Sequence, residues 1–170
     1  TLMFVGPTDE CGSLEEAKSQ GAAFWPLAIL RAFEDALLHL RFNESELGTL
    51  ILKSSGDAAR AAAHSALLEE QSADWFMREV LLFAQRAFKR LDVTSRTTFA
   101  FVESGSCFTG ILAELLFAVD RSYMLDGQLE GDRRPAPTIE ITAMSFGPLK
   151  MANGLTRLET RFIGEPESMN

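Results

Sequence analysis

Short apolar runs alternate with longer amphipathic segments along most of the chain, and this alternation constrains the fold more than any other feature. The apolar runs have the length of β-strands, whereas the longer segments repeat apolar residues every three or four positions, which is typical of helices. Strands that are joined through helices usually form right-handed parallel βαβ units. The sequence therefore predicts an α/β fold that is built around a parallel sheet.

The predicted elements follow from these patterns and from the turn residues between them. Strands are predicted over residues 2–5, 47–53, 96–104, 120–125 and 138–144, and helices over residues 24–42, 74–92, 108–118, 153–162 and an Ala-rich stretch that ends near residue 70. The run over 47–53 is almost continuously apolar and is predicted to be buried on both faces. Ser72 is the predicted N-cap of the helix over 74–92.

The composition is that of a single domain over residues 1–170 with a net charge of −8. Proteins that bind nucleic acid usually present a basic surface, so an acidic chain argues against such a partner. No apolar stretch approaches the ~18 uninterrupted residues of a membrane-spanning helix, so no membrane partner is predicted. Two cysteines, Cys11 and Cys107, are too few for a disulfide framework and favour a reduced, cytoplasmic protein.

A flexible turn, "GSCFTG", stands between the strand over 96–104 and the following helix. In parallel α/β folds the ligand lies where strand ends meet helix starts. Backbone N–H groups at such a helix start can bind an oxyanion. Gly105 and Gly110 are therefore the candidate residues for binding an oxyanion or a thioester oxygen.

Two further candidates, Glu114 and Cys107, lie in or just after this turn. Glu114 has apolar neighbours on both sides, so it is either a general acid or base or a buried carboxylate that is held by backbone N–H groups or by an arginine. The helix start could lower the pKa of the Cys107 thiol, although a small buried side chain is the alternative. The two histidines, His39 and His64, lack metal-ligand spacing, and no metal site is predicted.

The order of these elements resembles the crotonase (enoyl-CoA hydratase/isomerase) superfamily. The residues that carry this resemblance are Glu114-Leu115, Val119-Asp120, Gly147-Pro148 and the segment "NGLTRL" over 153–158. The resemblance implies a crotonase-like (ClpP/crotonase) ββα spiral, here in a partial or divergent copy. It also implies that the substrate is carried as a CoA thioester and that no further cofactor is needed.

Three segments, "GAAFWPLAILRAFEDALLHLR", "DVTSRTTFAFVESGSCFTG" and "MANGLTRLETRF", resemble more closely the C-terminal half of the benzoyl-CoA-dihydrodiol lyase family. Members of that family cleave the ring of a modified benzoyl-CoA during aerobic benzoate degradation and release formate. The resemblance implies that the working glutamates belong to an N-terminal portion. It also implies a homodimer, and a chain that is one segment of a longer polypeptide.

Three departures from the hydratase pattern support a scaffold role for this segment. The loop after "LILK" lacks the Ser-Gly-Ala-Asp type of sequence, and the turn from Gly105 to Glu114 is one residue longer than usual. Ala143 stands where hydratases have a second glutamate, so one carboxylate cannot share acid and base work with another. The predicted function is therefore a scaffold and dimer surface within a ring-cleaving lyase.

Two alternatives stay open at this point. The chain could be a self-sufficient enoyl-CoA hydratase or isomerase with Glu114 as its acid, or it could be a non-catalytic interaction module. If it is a segment, the apolar stripes of its two long helices are expected to be only partly covered by its own residues. These stripes are Leu30, Phe33, Leu37 and Leu40, and Met77, Leu81 and Phe88.

Overall fold

The computed structural model describes residues 1–169, and its centre is a four-stranded parallel sheet. The strands are β1 (Leu2–Val5), β2 (Thr49–Ser55), β3 (Thr97–Val102) and β4 (Arg121–Met124), and they lie side by side in chain order. Leu52 is the register partner of Leu2 on one side and of Ala100 on the other. The predicted α/β class and parallel sheet are therefore confirmed.

Within the described residues, six α-helices connect or follow these strands. They are α1 (Leu14–Gln20), α2 (Trp25–Asn43), α3 (Ala58–Glu70), α4 (Trp75–Asp92), α5 (Ala113–Ala118) and α6 (Arg157–Arg161), with short 3₁₀ turns at Gly21–Ala23, Gly110–Leu112, Ala143–Phe146 and Pro166–Met169. Within residues 1–169, none of the helices combines the length and the apolar composition that a membrane crossing requires.

The core lies between one face of the sheet and the helices α2 and α4. Phe33 of α2 packs edge-on against Phe4 of β1, with ring centroids 5.2 Å apart, and lies 6.0 Å from Phe88 of α4. Burying one such aromatic side chain contributes roughly 1.5–3 kcal/mol to folding. All predicted stripe positions are buried except Leu40, which is half-buried. The expectation that these stripes are only partly covered is therefore wrong, because α2 and α4 cover each other.

The opposite face of the sheet carries no helix within residues 1–169 and is here called the open sheet face. Its central residues are Met3, Ile51, Lys53, Phe99, Phe101 and Tyr123, and Val5 and Arg121 also lie on it. Met3 is 52% exposed and Tyr123 is 48% exposed. Phe101 stacks on Tyr123 at 5.7 Å. Within residues 1–169 the second strand is buried on one face and not on both as predicted, because Leu50 and Leu52 are buried whereas Ile51 and Lys53 are half-exposed.

The predicted strand over 138–144 is also wrong. Glu140 forms a single bridge with Thr109, and Ala143–Phe146 is a 3₁₀ turn. Ile139 and Ile141 are exposed, so the alternation that suggested a strand does not mark a buried face here. A β-strand pairs with a neighbouring strand along its length, whereas within residues 1–169 this segment pairs with the rest of the chain only through the bridge at Glu140.

Three helix boundaries differ from the predictions, and in two of them a side-chain cap sets the first residue of the helix. Asp74, not Ser72, caps α4, since its Oδ1 accepts a hydrogen bond from the Phe76 N–H at 2.9 Å. Helix α6 begins only at Arg157, after a capping box between Thr156 and Glu159. The helix predicted over 108–118 starts as a 3₁₀ turn at Gly110. The short helix α1 was not predicted.

Candidate functional site

The Gly-rich turn after β3 lies at the carboxyl end of the sheet, as predicted. Gly105 and Gly110 have φ angles of 85° and 53°, in the left-handed region that favours glycine. The Gly105 carbonyl accepts a hydrogen bond from the Gly56 N–H at 3.1 Å. This bond joins the turn to the loop that follows β2, so the loops after two neighbouring strands form one surface.

Two N–H groups of this segment are already bound by serine side chains. The Cys107 N–H donates to Ser54 Oγ and the Ile111 N–H donates to Ser65 Oγ, each at 3.0 Å. Ser65 lies so close that a Cβ on Gly110 would stand 2.2 Å from its Oγ. An oxyanion could reach these two amides only by displacing a serine. A role of Gly105 and Gly110 in binding a thioester stays a prediction.

The Cys107 side chain is completely buried between the loops that follow β1 and β2. Its Sγ would lie 3.2 Å from a Cβ on Gly6, and the nearest helix turn begins three residues further on, at Gly110. Burial raises the pKa of the Cys107 thiol. Of the two alternatives for Cys107, a small buried side chain is therefore favoured over an activated thiol, because loss of water outweighs the hydrogen bonds around the turn.

Glu114 is 1% exposed. Of the two kinds of partner predicted for its carboxylate, backbone N–H groups or an arginine, the structure shows the arginine. Its Oε2 accepts a hydrogen bond from Arg157 Nη1 at 3.1 Å. Its Oε1 has no hydrogen-bond partner within residues 1–169. Burial raises the pKa of the Glu114 carboxyl, although the neighbouring Arg157 charge opposes this shift. A catalytic role for Glu114 stays a prediction.

Arg157 connects Glu114 to a second carboxylate that the sequence did not reveal. Its Nε and Nη2 donate to the two oxygens of Asp92 at 2.9 and 2.7 Å, a bidentate pair. Its Nη1 also donates to the Leu149 carbonyl at 3.0 Å, and the guanidinium lies 5.1 Å from the Phe88 ring centroid. The Arg157 side chain is fully buried. Asp92, Arg157 and Glu114 thus form a buried ion triad.

The triad has the form of a structural network. A cavity of about 310 Å³ borders Asp92 and Arg157 but not Glu114. Arg161 lies at the same cavity and donates to the carbonyls of Leu116 and Val119 at the end of α5. Among residues 1–169, no group of three or more His, Cys, Asp or Glu side chains is placed to hold a metal ion. The arrangement joins α4, α5 and α6, and of its two carboxylates only Asp92 borders the cavity.

The fold and this buried triad define an α/β domain whose central glutamate is tied to its own chain. No family model matches the chain. A benzoyl-CoA-dihydrodiol lyase from Aromatoleum evansii is 39% identical over 150 residues, which cover 88% of this chain and 26% of the relative. The predicted resemblance to benzoyl-CoA-dihydrodiol lyase is confirmed. The chain spans about a quarter of the length of this curated relative.

Proposed function

We propose that this chain is a segment of a longer, ring-cleaving lyase of the benzoyl-CoA-dihydrodiol lyase type, and that it serves mainly as scaffold. The observation that carries the proposal is the 39% identity over most of the chain to such a lyase. The buried pair between Glu114 and Arg157 supports the scaffold role, because a carboxylate that is held in this way is poorly placed to exchange protons with a substrate.

In the proposed reaction, two backbone N–H groups polarise the thioester carbonyl and paired carboxylates move protons on the ring. Another part of the longer polypeptide supplies these groups. Water adds to the ring carbon that leaves as formate, and both C–C bonds of that carbon break. Ala143, at the position of the second hydratase carboxylate, opens a 3₁₀ turn and carries no acid. A crotonase-like ββα spiral, a role in aerobic benzoate degradation, a cytoplasmic location and independence from any cofactor belong to the same proposal.

The open sheet face supports the proposal of a longer chain. Parallel sheets are found almost only with both faces covered, and exposed apolar patches usually mark an interaction surface. The Aromatoleum evansii relative is about four times as long as the matched region, so about three quarters of that protein lies outside the match. We assign the open sheet face to contacts with the remainder of the same polypeptide. The assembled lyase is proposed to be a homodimer.

A side-by-side assay tests the proposed function. The 170-residue chain and the longer protein that contains it are each supplied with a benzoyl-CoA dihydrodiol and with crotonyl-CoA. We expect formate release from the dihydrodiol by the longer protein and no turnover by the 170-residue chain. Turnover of crotonyl-CoA by the short chain at an ordinary enzymatic rate, on the order of 1–1000 per second, would favour the self-sufficient hydratase or isomerase instead. Inactivity of both proteins would favour an interaction module.

A further inference from the structure

A cavity of about 260 Å³ lies at the amino-terminal ends of β2 and β3, and we call it the arginine cavity. The residues that shape it are Arg41 at the end of α2, Ser45 and Leu47 before β2, and Val93, Ser95 and Arg96 before β3. The Gly-rich turn follows β3 at the opposite end of the sheet. At ~3.3 Å per residue, the length of β3 places that turn roughly 15–20 Å from this cavity. The two regions are therefore separate.

Two positive charges share the arginine cavity without a carboxylate to balance them. Neither Arg41 nor Arg96 forms a salt bridge among residues 1–169, and no aspartate or glutamate lines the cavity. The chain as a whole has 24 acidic residues against 16 lysines and arginines, so this pair runs against the overall charge. Because like charges repel, an anion in the cavity is attracted by both guanidinium groups and offsets their repulsion.

The acidic residues that are nearest along the chain lie outside the cavity. Asp92 is the bidentate partner of Arg157. Glu44 Oε1 lies 3.8 Å from His39 Nε2. Glu46 is exposed and does not line the cavity. These carboxylates reduce the positive potential from a distance, but the two guanidinium groups are the charges that an entering ligand meets.

The Arg96 side chain is held in place by main-chain carbonyls. Its Nε donates to the Leu47 carbonyl at 2.6 Å, and its Nη2 donates to the carbonyls of Leu40 and Glu44 at 2.6 and 2.7 Å. These carbonyls lie at and after the end of α2 and would otherwise repel an anion. Nη1 of Arg96 has no hydrogen-bond partner within residues 1–169. A guanidinium that is already fixed loses little side-chain freedom when it binds a ligand.

Arg41 and two serines supply further hydrogen-bond donors. Arg41 Nη2 makes a long hydrogen bond of 3.3 Å to the Arg90 carbonyl, and its Nε and Nη1 have no partner in the described part of the chain. The Thr94 hydroxyl is already donated to the same carbonyl at 3.0 Å. The hydroxyls of Ser45 and Ser95 line the cavity and are not hydrogen-bonded to any of residues 1–169. Unused donors beside two cations suit a group that carries several acceptor oxygens.

We propose that the arginine cavity binds a phosphate group, with Arg41 and Arg96 as its cationic partners. A phosphate has more acceptor oxygens than a carboxylate and can therefore use more of the free donors. Leu47 and Val93, which are 48% and 70% exposed, border the same cavity and can contact a short carbon chain. The group therefore comes either from the free ion or from a small phosphate ester. The proposal does not depend on the lyase activity. A dissociation constant on the order of 1 mM is expected for such small ligands.

Isothermal titration calorimetry on the 170-residue chain, at constant ionic strength in chloride, compares inorganic phosphate, glycerol 3-phosphate and acetate. We expect saturable binding of phosphate or of its ester, and at least about tenfold weaker binding of acetate, because a carboxylate offers fewer acceptor oxygens. Tighter binding of glycerol 3-phosphate than of phosphate would identify an ester as the source of the group. The reverse order would identify the free ion.

Arg41→Gln is the variant that tests the site, and Arg31→Gln is its matched control. Arg41 makes one long hydrogen bond within residues 1–169, so its replacement removes a charge and little internal bonding. Arg31 is an exposed residue of the same helix that does not line the cavity. We expect Arg41→Gln to bind phosphate or its ester about tenfold more weakly or worse, and Arg31→Gln to bind within about twofold of the unaltered chain.

Modification by phenylglyoxal, read by mass spectrometry, gives a second readout that needs no variant. The reagent attacks guanidinium groups, so the bound ligand should slow the modification of Arg41 saturably and leave that of Arg31 unchanged. The proposal is overturned if neither phosphate nor its ester binds saturably below about 10 mM, if acetate binds as tightly, if the folded Arg41→Gln variant binds as tightly as Arg31→Gln, or if Arg41 is not protected. If Arg41→Gln does not fold, the protection of the unaltered chain decides.

Discussion

Replacing Asp92 by asparagine should be among the most damaging single changes in the domain. Asp92 is the bidentate partner of Arg157, whose side chain has no exposed surface. After Asp92→Asn, the guanidinium would keep only one charged hydrogen bond, to Glu114. Removing one partner from a buried ion pair costs about 3–5 kcal/mol of unfolding free energy, because the other charge is left uncompensated.

Glu114→Gln is the matched control within the same triad. The glutamine oxygen can still accept the hydrogen bond from Arg157 Nη1, and Asp92 still balances the arginine charge. We expect this variant to lose about 1 kcal/mol or less. For a protein of this size, 1 kcal/mol shifts the Tm by roughly 2–4 °C, so Asp92→Asn should melt about 6–20 °C lower and Glu114→Gln within about 4 °C.

Thermal and urea unfolding, followed by circular dichroism, measure both variants under identical conditions. Asp92 is not the main partner of the Arg157 charge if Asp92→Asn costs less than about 1 kcal/mol of unfolding free energy, or if Glu114→Gln costs as much as Asp92→Asn. The first outcome would mean that water reaches Arg157, and the second would mean that Glu114, not Asp92, balances its charge.

Three further predictions concern pH, association and capping. The pKa of Glu114 is raised in the folded state, so the folded state keeps the Glu114 proton to a higher pH than the unfolded state does. The unfolding free energy, compared with that of Glu114→Gln, should therefore fall as the pH rises from the ordinary carboxyl pKa to the raised one. Parallel curves of unfolding free energy against pH for the two proteins would contradict this. The 170-residue chain should self-associate and bind apolar dyes through its open sheet face. The double variant Phe101→Lys, Tyr123→Lys should reduce self-association in sedimentation and reduce dye binding. A monomer that binds no dye would show that this face needs no covering partner. Asp74→Ala should lose about 1 kcal/mol of unfolding free energy, because the Asp74 side chain makes the capping hydrogen bond of α4. Ser72→Ala should lose less than about 0.5 kcal/mol. Equal losses in urea unfolding would contradict the assignment of Asp74 as the N-cap.

The sequence predicted the parallel sheet well because its strands and long helices carry strong periodic patterns. Helix α1 was missed because only Ala17 in it is buried, so it has no apolar stripe. Its signal lay in capping, since the Ser13 side chain accepts a bond from the Glu16 N–H. The strand over 138–144 was wrongly predicted for the opposite reason. Apolar and polar residues alternate in this segment, but it has no neighbouring strand to pair with in the described chain.

The candidate site was predictable only in its local part. The position of the turn and the need of Glu114 for a partner follow from neighbouring residues. Arg157, by contrast, is 43 residues away along the chain, and nothing local links it to Glu114. The serine that binds the Ile111 amide, Ser65, belongs to a helix that carries no motif. The raised pKa of Cys107 depends on burial between the loops that follow β1 and β2, which only the folded chain reveals.

The most direct test of the scaffold assignment is the turnover of the longer lyase that carries Glu114→Gln. We expect formate release from the benzoyl-CoA dihydrodiol to stay within about threefold of the unaltered enzyme, since other residues carry out the acid–base chemistry. Circular dichroism and a cooperative thermal transition close to that of the unaltered enzyme would confirm that the variant is folded. A loss of roughly a hundredfold or more in a folded variant, the usual scale for an acid–base residue, would contradict the account and make Glu114 catalytic.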